Sequence, residues 1–188
     1  MRAVLLILLA LLWAPLAVAE REVGGVEWPQ HVEAQDGSEL TFNGAALRTR
    51  FLVRVYSGAL YVAATSADPA VLRDPQRPAR MVIHFLRDGI RADQVNDAWR
   101  DGITANHDEA TVEALAGALD ELLALTPEEV DDGDVLAYEH VPGEGTTVSL
   151  NGEPRGRVDR DELFAALLAT WIGDDPPSGG FRDAILGR

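Results

Sequence analysis

Alternation of apolar and polar side chains is the clearest signal in the first half of the chain. Glu39 to Arg48, Val53 to Ala64 and Arg80 to Leu86 are rich in β-branched, aromatic or alternating apolar residues, and each is predicted to be a strand. The period then changes. From Ala92 to Ala105 the residues Val95, Ala98, Trp99 and Ile103 fall on one side of a helix, and from Asp108 to Leu125 the residues Val112, Leu115, Leu119, Leu122 and Leu123 do the same. Pro127 stops the second helix. Val135 to Val141 and Thr146 to Leu150 return to a strand pattern, and Asn151-Gly152 is a two-residue hairpin turn leading into Arg155 to Val158. A last long helix is expected from Asp159, which can cap it while Glu162 closes the capping box; Leu163, Phe164, Leu167, Leu168, Trp171 and Ile172 cover its broad apolar face. Gly173 ends it, and a short helix is expected from Phe181 to Leu186. Strands, two helices, strands and a helix, in that order, predict an α+β domain whose mostly antiparallel sheet is covered on one face by helices.

The first 38 residues carry a different pattern. Arg2 followed by an apolar run to Trp13 and by Ala17-Val18-Ala19 is the order of a secretory signal peptide, with cleavage expected after Ala19. Residues 20 to 38 are turn-rich and are expected to form an extension or an edge strand, with Val26, Trp28 and Val32 as packing anchors. Residues 39 to 188 then make one domain. Beyond the leader no run approaches the roughly 20 apolar residues of a membrane helix, so no stable membrane anchor is expected. The protein is expected to be periplasmic or secreted, and its frequent Ala, Arg and Asp resemble the composition of a GC-rich bacterium.

Charge and cysteine usage restrict the chemistry further. The chain contains no cysteine, which excludes disulfides, thiolate metal sites, cysteine nucleophiles and a lipid-modified cysteine. Its formal charge is −15, a field that opposes nucleic acid and anionic membranes at long range, so no nucleic-acid partner is expected. Any anionic ligand must therefore be captured by a local positive site.

Arg48 is the candidate for that site. A guanidinium among strand residues that face a core is paired, snorkelling, or binding something, and its fork of donors suits carboxylate or phenolate oxygens. Eight residues on, Tyr56 offers one oriented O–H. In one straight strand the two stand roughly 26 Å apart at about 3.3 Å per residue. If the chain reverses between Thr49 and Leu52 they converge. His84 alternates with Val82 and Leu86, and acts as an acid or base if that face lines a cavity. Trp99, on the first long helix, is a further ligand-contact candidate by element geometry.

No standard catalytic or cofactor motif is present: G-x-S-x-G, the Walker loop, G-x-G-x-x-G and H-E-x-x-H are all absent. His31, His84, His107 and His140 lack zinc-ligand spacing, and Asp131-Asp132-Gly133-Asp134 lacks the ligand alternation of a calcium loop. Neither a metal nor a cofactor is expected.

Asn43-Gly44-Ala45-Ala46-Leu47-Arg48, Val55-Tyr56-Ser57-Gly58-Ala59-Leu60-Tyr61, His84 to Asp88, Gly145 to Gly152 and Trp171-Ile172-Gly173 together resemble the bacterial chalcone isomerase-like domain. The resemblance spans about residues 39 to 187. It implies an open-faced antiparallel sheet under a layer of helices, with a ligand cleft between them. In that fold, enzymes cyclise chalcones with an arginine stabilising the phenolate, and non-catalytic relatives hold a fatty acid carboxylate on an arginine and a tyrosine. The shared arginine matches Arg48. Where the enzymes place threonine on the next strand this chain has Tyr56, as the fatty-acid binders do. The enzymes' helical tyrosine and asparagine fall at Arg91 and Ala98, and their late hydroxyl near Phe164, with Asn96 and Thr170 close in register. The resemblance therefore favours a non-catalytic binding protein for a small apolar anionic ligand, with Arg48, Tyr56, His84 and Trp99 at the site. An intramolecular lyase using Arg48 on an oxyanion is the alternative.

Overall fold

The computed structural model describes residues 21–188, so the expected signal segment lies outside the described residues. Three short strands come first, β1 (Arg21–Val23), β2 (Val26–Trp28) and β3 (His31–Glu33), followed by the long hairpin β4 (Glu39–Arg50) and β5 (Val53–Val62). After the one-turn helix α1 (Pro69–Leu72) come β6 (Ala79–Phe85), β7 (Ile90–Arg91), α2 (Ala92–Asn106), α3 (Glu109–Ala124) and β8 (Glu129–Val130). The chain closes with β9 (Val135–Val141), β10 (Gly145–Leu150), β11 (Glu153–Val158), α4 (Asp161–Ile172) and α5 (Gly179–Ile185).

Seven strands form one sheet in the order β11-β10-β9-β6-β5-β4-β3, and every neighbouring pair is antiparallel. The expected α+β class and antiparallel sheet are thus observed. Alternation sets the two faces. Phe85, Ile83 and Met81 of β6 point to the helices with Tyr56 and Leu60 of β5, and they pack with Trp99, Leu167, Trp171 and Phe181 in the main core. Helix α4 is apolar nearly all round, and residues Leu163 to Ile172 are buried except Ala165, as expected of a helix enclosed by its neighbours. Gly102 lets α2 approach it, because a Cβ there would lie 2.3 Å from Cγ2 of Thr170.

The helices cover one face as expected, and the opposite face is not bare. Trp28, Val26, Leu40, Phe42, Ala59 and Tyr61 form a second cluster there, and the β1–β2 hairpin lies over it. The Trp28 indole N–H donates to Ser57 Oγ at 3.2 Å, and the Ser57 hydroxyl donates to the Val23 carbonyl at 2.9 Å. The turn-rich extension is therefore a hairpin plus the edge strand β3. Its short strands leave too few alternations for the pattern to register.

The Asn43-Gly44 step explains how the C-terminus is fixed to the sheet. The β4–β5 register shifts between Phe42 and Gly44, and the bulge turns Asn43 so that its amide donates to the Ile185 carbonyl at 2.9 Å while its Oδ1 accepts from Ser66 N–H at 2.8 Å. A Cβ on Gly44 would sit 2.1 Å from the Ala184 carbonyl oxygen, so α5 can close onto β4 only over a glycine. The bulge also switches the faces: Phe42 and Ala45 both join the outer cluster although three positions apart.

Some boundaries differ from the sequence reading. Helix α4 starts at Asp161 with Arg160 as N-cap and no side-chain cap, so Asp159 does not cap it. Asp161 instead uses its carboxylate to accept from Gly143 N–H at 3.1 Å, tying the helix start to the β9–β10 turn. Acidic Asp161 and Glu162 in the first turn still complement the helix dipole. Strand β4 continues to Arg50, two residues beyond its expected end.

Candidate functional site

The chain reverses at Phe51-Leu52, so β4 and β5 form a two-residue hairpin in which Arg48 is the direct partner of Tyr56. Both face the helices. A second register shift, between Arg48 and Thr49, twists the hairpin end outward. The guanidinium of Arg48 is half-buried, and its Nη1 donates to the Pro177 carbonyl at 2.8 Å. No carboxylate pairs with it among the ion pairs of the described residues.

Pro177 is itself held in place. The Asn106 amide at the end of α2 donates to the carbonyls of Gly102 at 2.8 Å and Asp175 at 3.0 Å, and its Oδ1 accepts from Asp175 N–H at 2.8 Å. That clamp fixes the Asp174–Pro177 segment over the cleft and aims one carbonyl at Arg48. Pro177 carries no side-chain signal for this role, because the group presented to Arg48 is a backbone oxygen.

Tyr56 is buried among Phe85, Trp99 and Phe181, whose rings meet it edge to face with centroids 6.0 to 6.4 Å away. Its hydroxyl oxygen accepts from the Trp171 indole N–H at 3.0 Å. Burial pushes the phenol up to about 12, against the opposing pull of the Trp171 hydrogen bond and the nearby Arg48 charge. At neutral pH Tyr56 is thus a protonated donor, with its oxygen already committed to Trp171 and its hydrogen available to an acceptor. Trp99 donates its indole N–H to the Tyr138 hydroxyl at 2.6 Å and lies 4.9 Å from the Trp171 ring. It offers the cleft an aromatic surface and no donor.

Arg48, Tyr56 and Trp99 line one open cleft of about 570 Å³, between the end of the β4–β5 hairpin, α2 and the segment after α4. Its apolar walls include Val53, Val55, Ile90 and Ala98; Arg50, Arg87, Asp101 and Asp175 supply charged positions. The volume lies within the roughly 300–1,000 Å³ of small-molecule sites. One further polar group belongs to it. Thr170 lines the cleft, and its buried Oγ1 has no hydrogen-bond partner.

The remaining candidates are placed elsewhere. His84 pairs with Ser57 on the outer face of the sheet, beside the β1–β2 hairpin, so it does not join Arg48 and Tyr56. The reason is parity: Phe85, one residue on, is the partner of Tyr56, and adjacent strand residues point to opposite faces. Asn96 donates to the Leu123 carbonyl at 3.1 Å and fastens α2 to α3. In the acidic turn, Asp131 accepts from Gly89 N–H at 2.8 Å, and Asp134 accepts from Asp131 N–H and the Asn151 amide at 2.8 Å each. Those carboxylates brace turns. Among the described residues no group of three His, Asp or Glu could hold a metal ion, and no helix is long and apolar enough to cross a membrane.

Residues 20–187 match the sequence profile of a family described as chalcone isomerase-like. Among solved structures, the chain resembles a fatty-acid binding protein of Arabidopsis thaliana with a TM-score of 0.65 and 15% sequence identity, covering 83% of this chain and 95% of that one. That similarity establishes a shared fold. No curated protein matches the sequence.

Proposed function

This chain belongs to the chalcone isomerase-like family, and on that premise we propose that it is a non-catalytic binding protein for a small apolar molecule with a carboxylate or phenolate head. The observation that carries this reading is the half-buried, carboxylate-free guanidinium of Arg48 beside the protonated hydroxyl of Tyr56 in a cleft walled by aliphatic and aromatic groups. A carboxylate bound there accepts from the unused Arg48 N–H groups on one oxygen and from Tyr56 on the other. The apolar remainder lies against Trp99, Ile90 and Val55. The fold shared with a fatty-acid binding protein supports a fatty-acid-like ligand. The order of charge, apolar run and small residues in positions 1–19 supports export to the periplasm or beyond.

A second reading, an intramolecular lyase of the chalcone isomerase type, rests on Thr170, whose buried, unpartnered hydroxyl lines the same cleft as the oxyanion-stabilising candidate Arg48. The two readings part in a simple assay. Intrinsic tryptophan fluorescence, to which Trp99 at the cleft, Trp171 beside Tyr56 and Trp28 on the outer face contribute, is followed while a long-chain fatty acid or a chalcone is added. The binding reading expects a saturable fluorescence change with the acid and no chemical change in the chalcone. Turnover of the chalcone that is lost in Arg48→Ala would instead establish the enzyme.

A further inference from the structure

Phe51 and Leu52 form the tip of the β4–β5 hairpin and are 89% and 98% exposed. Both have positive φ, 50° and 66°, the two central positions of a turn that favours asparagine and glycine. The contrast lies within this chain: Asn151 and Gly152, at φ 52° and 84°, make the same kind of turn between β10 and β11 with the residues it prefers. At Phe51-Leu52 the sequence accepts unfavourable backbone conformations and exposes two large apolar side chains together. A single exposed apolar residue is ordinary, but this pair stands at the mouth of the cleft, where Phe51 and Val53 form part of the wall.

The charge around the tip has the opposite sign to the rest of the molecule. Arg48, Arg50 and Arg54 fall within seven residues that contain no carboxylate, in a chain whose formal charge is −15. The Arg50 guanidinium lies 5.5 Å from the Phe51 ring centroid, and exposed Arg87 joins the same cleft rim. Asp101 and Asp175 line the cleft from α2 and the segment after α4, not from the hairpin. Because charges are screened beyond about 8–10 Å at physiological salt, a surface touched by the tip responds most to the charges nearest it, and Arg50 stands directly beside Phe51. Two apolar side chains projecting through a collar of arginines complement a bilayer that presents anionic headgroups over hydrocarbon.

We propose that the Phe51-Leu52 tip docks transiently on an anionic phospholipid bilayer, Phe51 and Leu52 entering the headgroup boundary while Arg50 and Arg87 contact lipid phosphates. The cleft mouth then opens against the membrane. The acidic remainder of the surface repels the bilayer and orients the molecule tip first. This contact is independent of what the cleft holds.

The test is flotation of the purified protein, freed of any bound lipid, with phosphatidylcholine vesicles with and without phosphatidylglycerol. The wild type is expected to float with the phosphatidylglycerol vesicles only, and Phe51→Asn/Leu52→Gly to bind them about tenfold or more weakly. That variant installs the preferred turn residues, so its melting temperature should equal or exceed the wild-type value and misfolding cannot explain the loss. Arg50→Gln/Arg87→Gln should weaken binding and flatten its salt dependence. Failure of the wild type to float, or equal flotation of the Asn-Gly variant, overturns the proposal. So does a concentration-dependent dimer in sedimentation that the Asn-Gly variant abolishes, which would assign the tip to a second copy of the chain.

Discussion

Arg48 and Tyr56 stand directly opposite each other across the β4–β5 ladder, eight residues apart in sequence and one cross-strand step apart in space. Their side chains share the helix-facing side of the sheet, so a guanidinium and a phenolic donor reach one volume without distorting either strand. Trp171 completes the arrangement by donating to the Tyr56 oxygen, which leaves the phenol proton free to be donated.

Removing that indole tests the arrangement without touching the cleft's charge. Trp171→Phe deprives the buried Tyr56 oxygen of its donor and is expected to cost about 1–3 kcal/mol in denaturant unfolding. The double variant Trp171→Phe/Tyr56→Phe should be less destabilised than the sum of its single changes, since no polar atom then remains unpaired. Additive effects would show that the hydrogen bond contributes nothing.

Alkaline pH should unfold the protein through its tyrosines. All three, Tyr56, Tyr61 and Tyr138, are shifted upward by burial, Tyr56 to about 12. The unfolded chain loses these protons near pH 10 while the folded chain retains them, so the stabilisation is complete below pH 10 and declines as pH rises toward the folded values. For Tyr56 alone the rise to about 12 makes this a contribution on the order of a few kcal/mol. Titration followed at tyrosinate absorbance should show no ionisation near pH 10 and a cooperative step that coincides with loss of circular dichroism. A separate ionisation near pH 10 in the folded protein would refute it.

Glu139 lies buried on the outer face of the sheet, paired with Arg80 and accepting from Gln35 N–H at 2.5 Å. Arg80 also donates to the Glu33 carbonyl at 2.7 Å, so the pair fastens β3 and the following turn to β6 and β9. Arg80→Ala strands a buried carboxylate and should cost about 3–5 kcal/mol, whereas Arg80→Met/Glu139→Leu should restore most of that loss. Urea midpoints at neutral pH measure both.

Two glycines should respond oppositely to alanine. At Gly44 the added methyl meets the Ala184 carbonyl oxygen, and Gly44→Ala is expected to cost about 3 kcal/mol by pushing α5 off the sheet. Exposed Gly117, within α3 and with open space around it, should gain about 0.5–1 kcal/mol in Gly117→Ala. Thermal melts of the two variants should move in opposite directions.

These residues also explain what was legible from sequence. Long alternating strands and broad helical faces declared themselves, and Asn151-Gly152 announced its hairpin by residue type. Phe51-Leu52 adopts the same sort of turn with residues that do not signal one, so the meeting of Arg48 and Tyr56 was conditional until the register was known. His84 was misplaced because alternation groups Val82, His84 and Leu86 on one face without saying which face holds the cleft. The Pro177 carbonyl is a backbone group that composition does not distinguish, and the Asn106 side chain that positions it grips only the backbone of Gly102 and Asp175. Short β1 and β2 fall below the length at which alternation is visible.

The central claim is that Arg48 and Tyr56 hold the acidic head of an apolar ligand in the cleft. Native mass spectrometry of the purified protein after addition of a long-chain fatty acid, beside Arg48→Ala and Tyr56→Phe, tests it most directly. One acid is expected on the wild type, little or none on Arg48→Ala, and partial occupancy on Tyr56→Phe. A wild type that stays empty, or an Arg48→Ala protein that binds the acid as well as the wild type does, would contradict it.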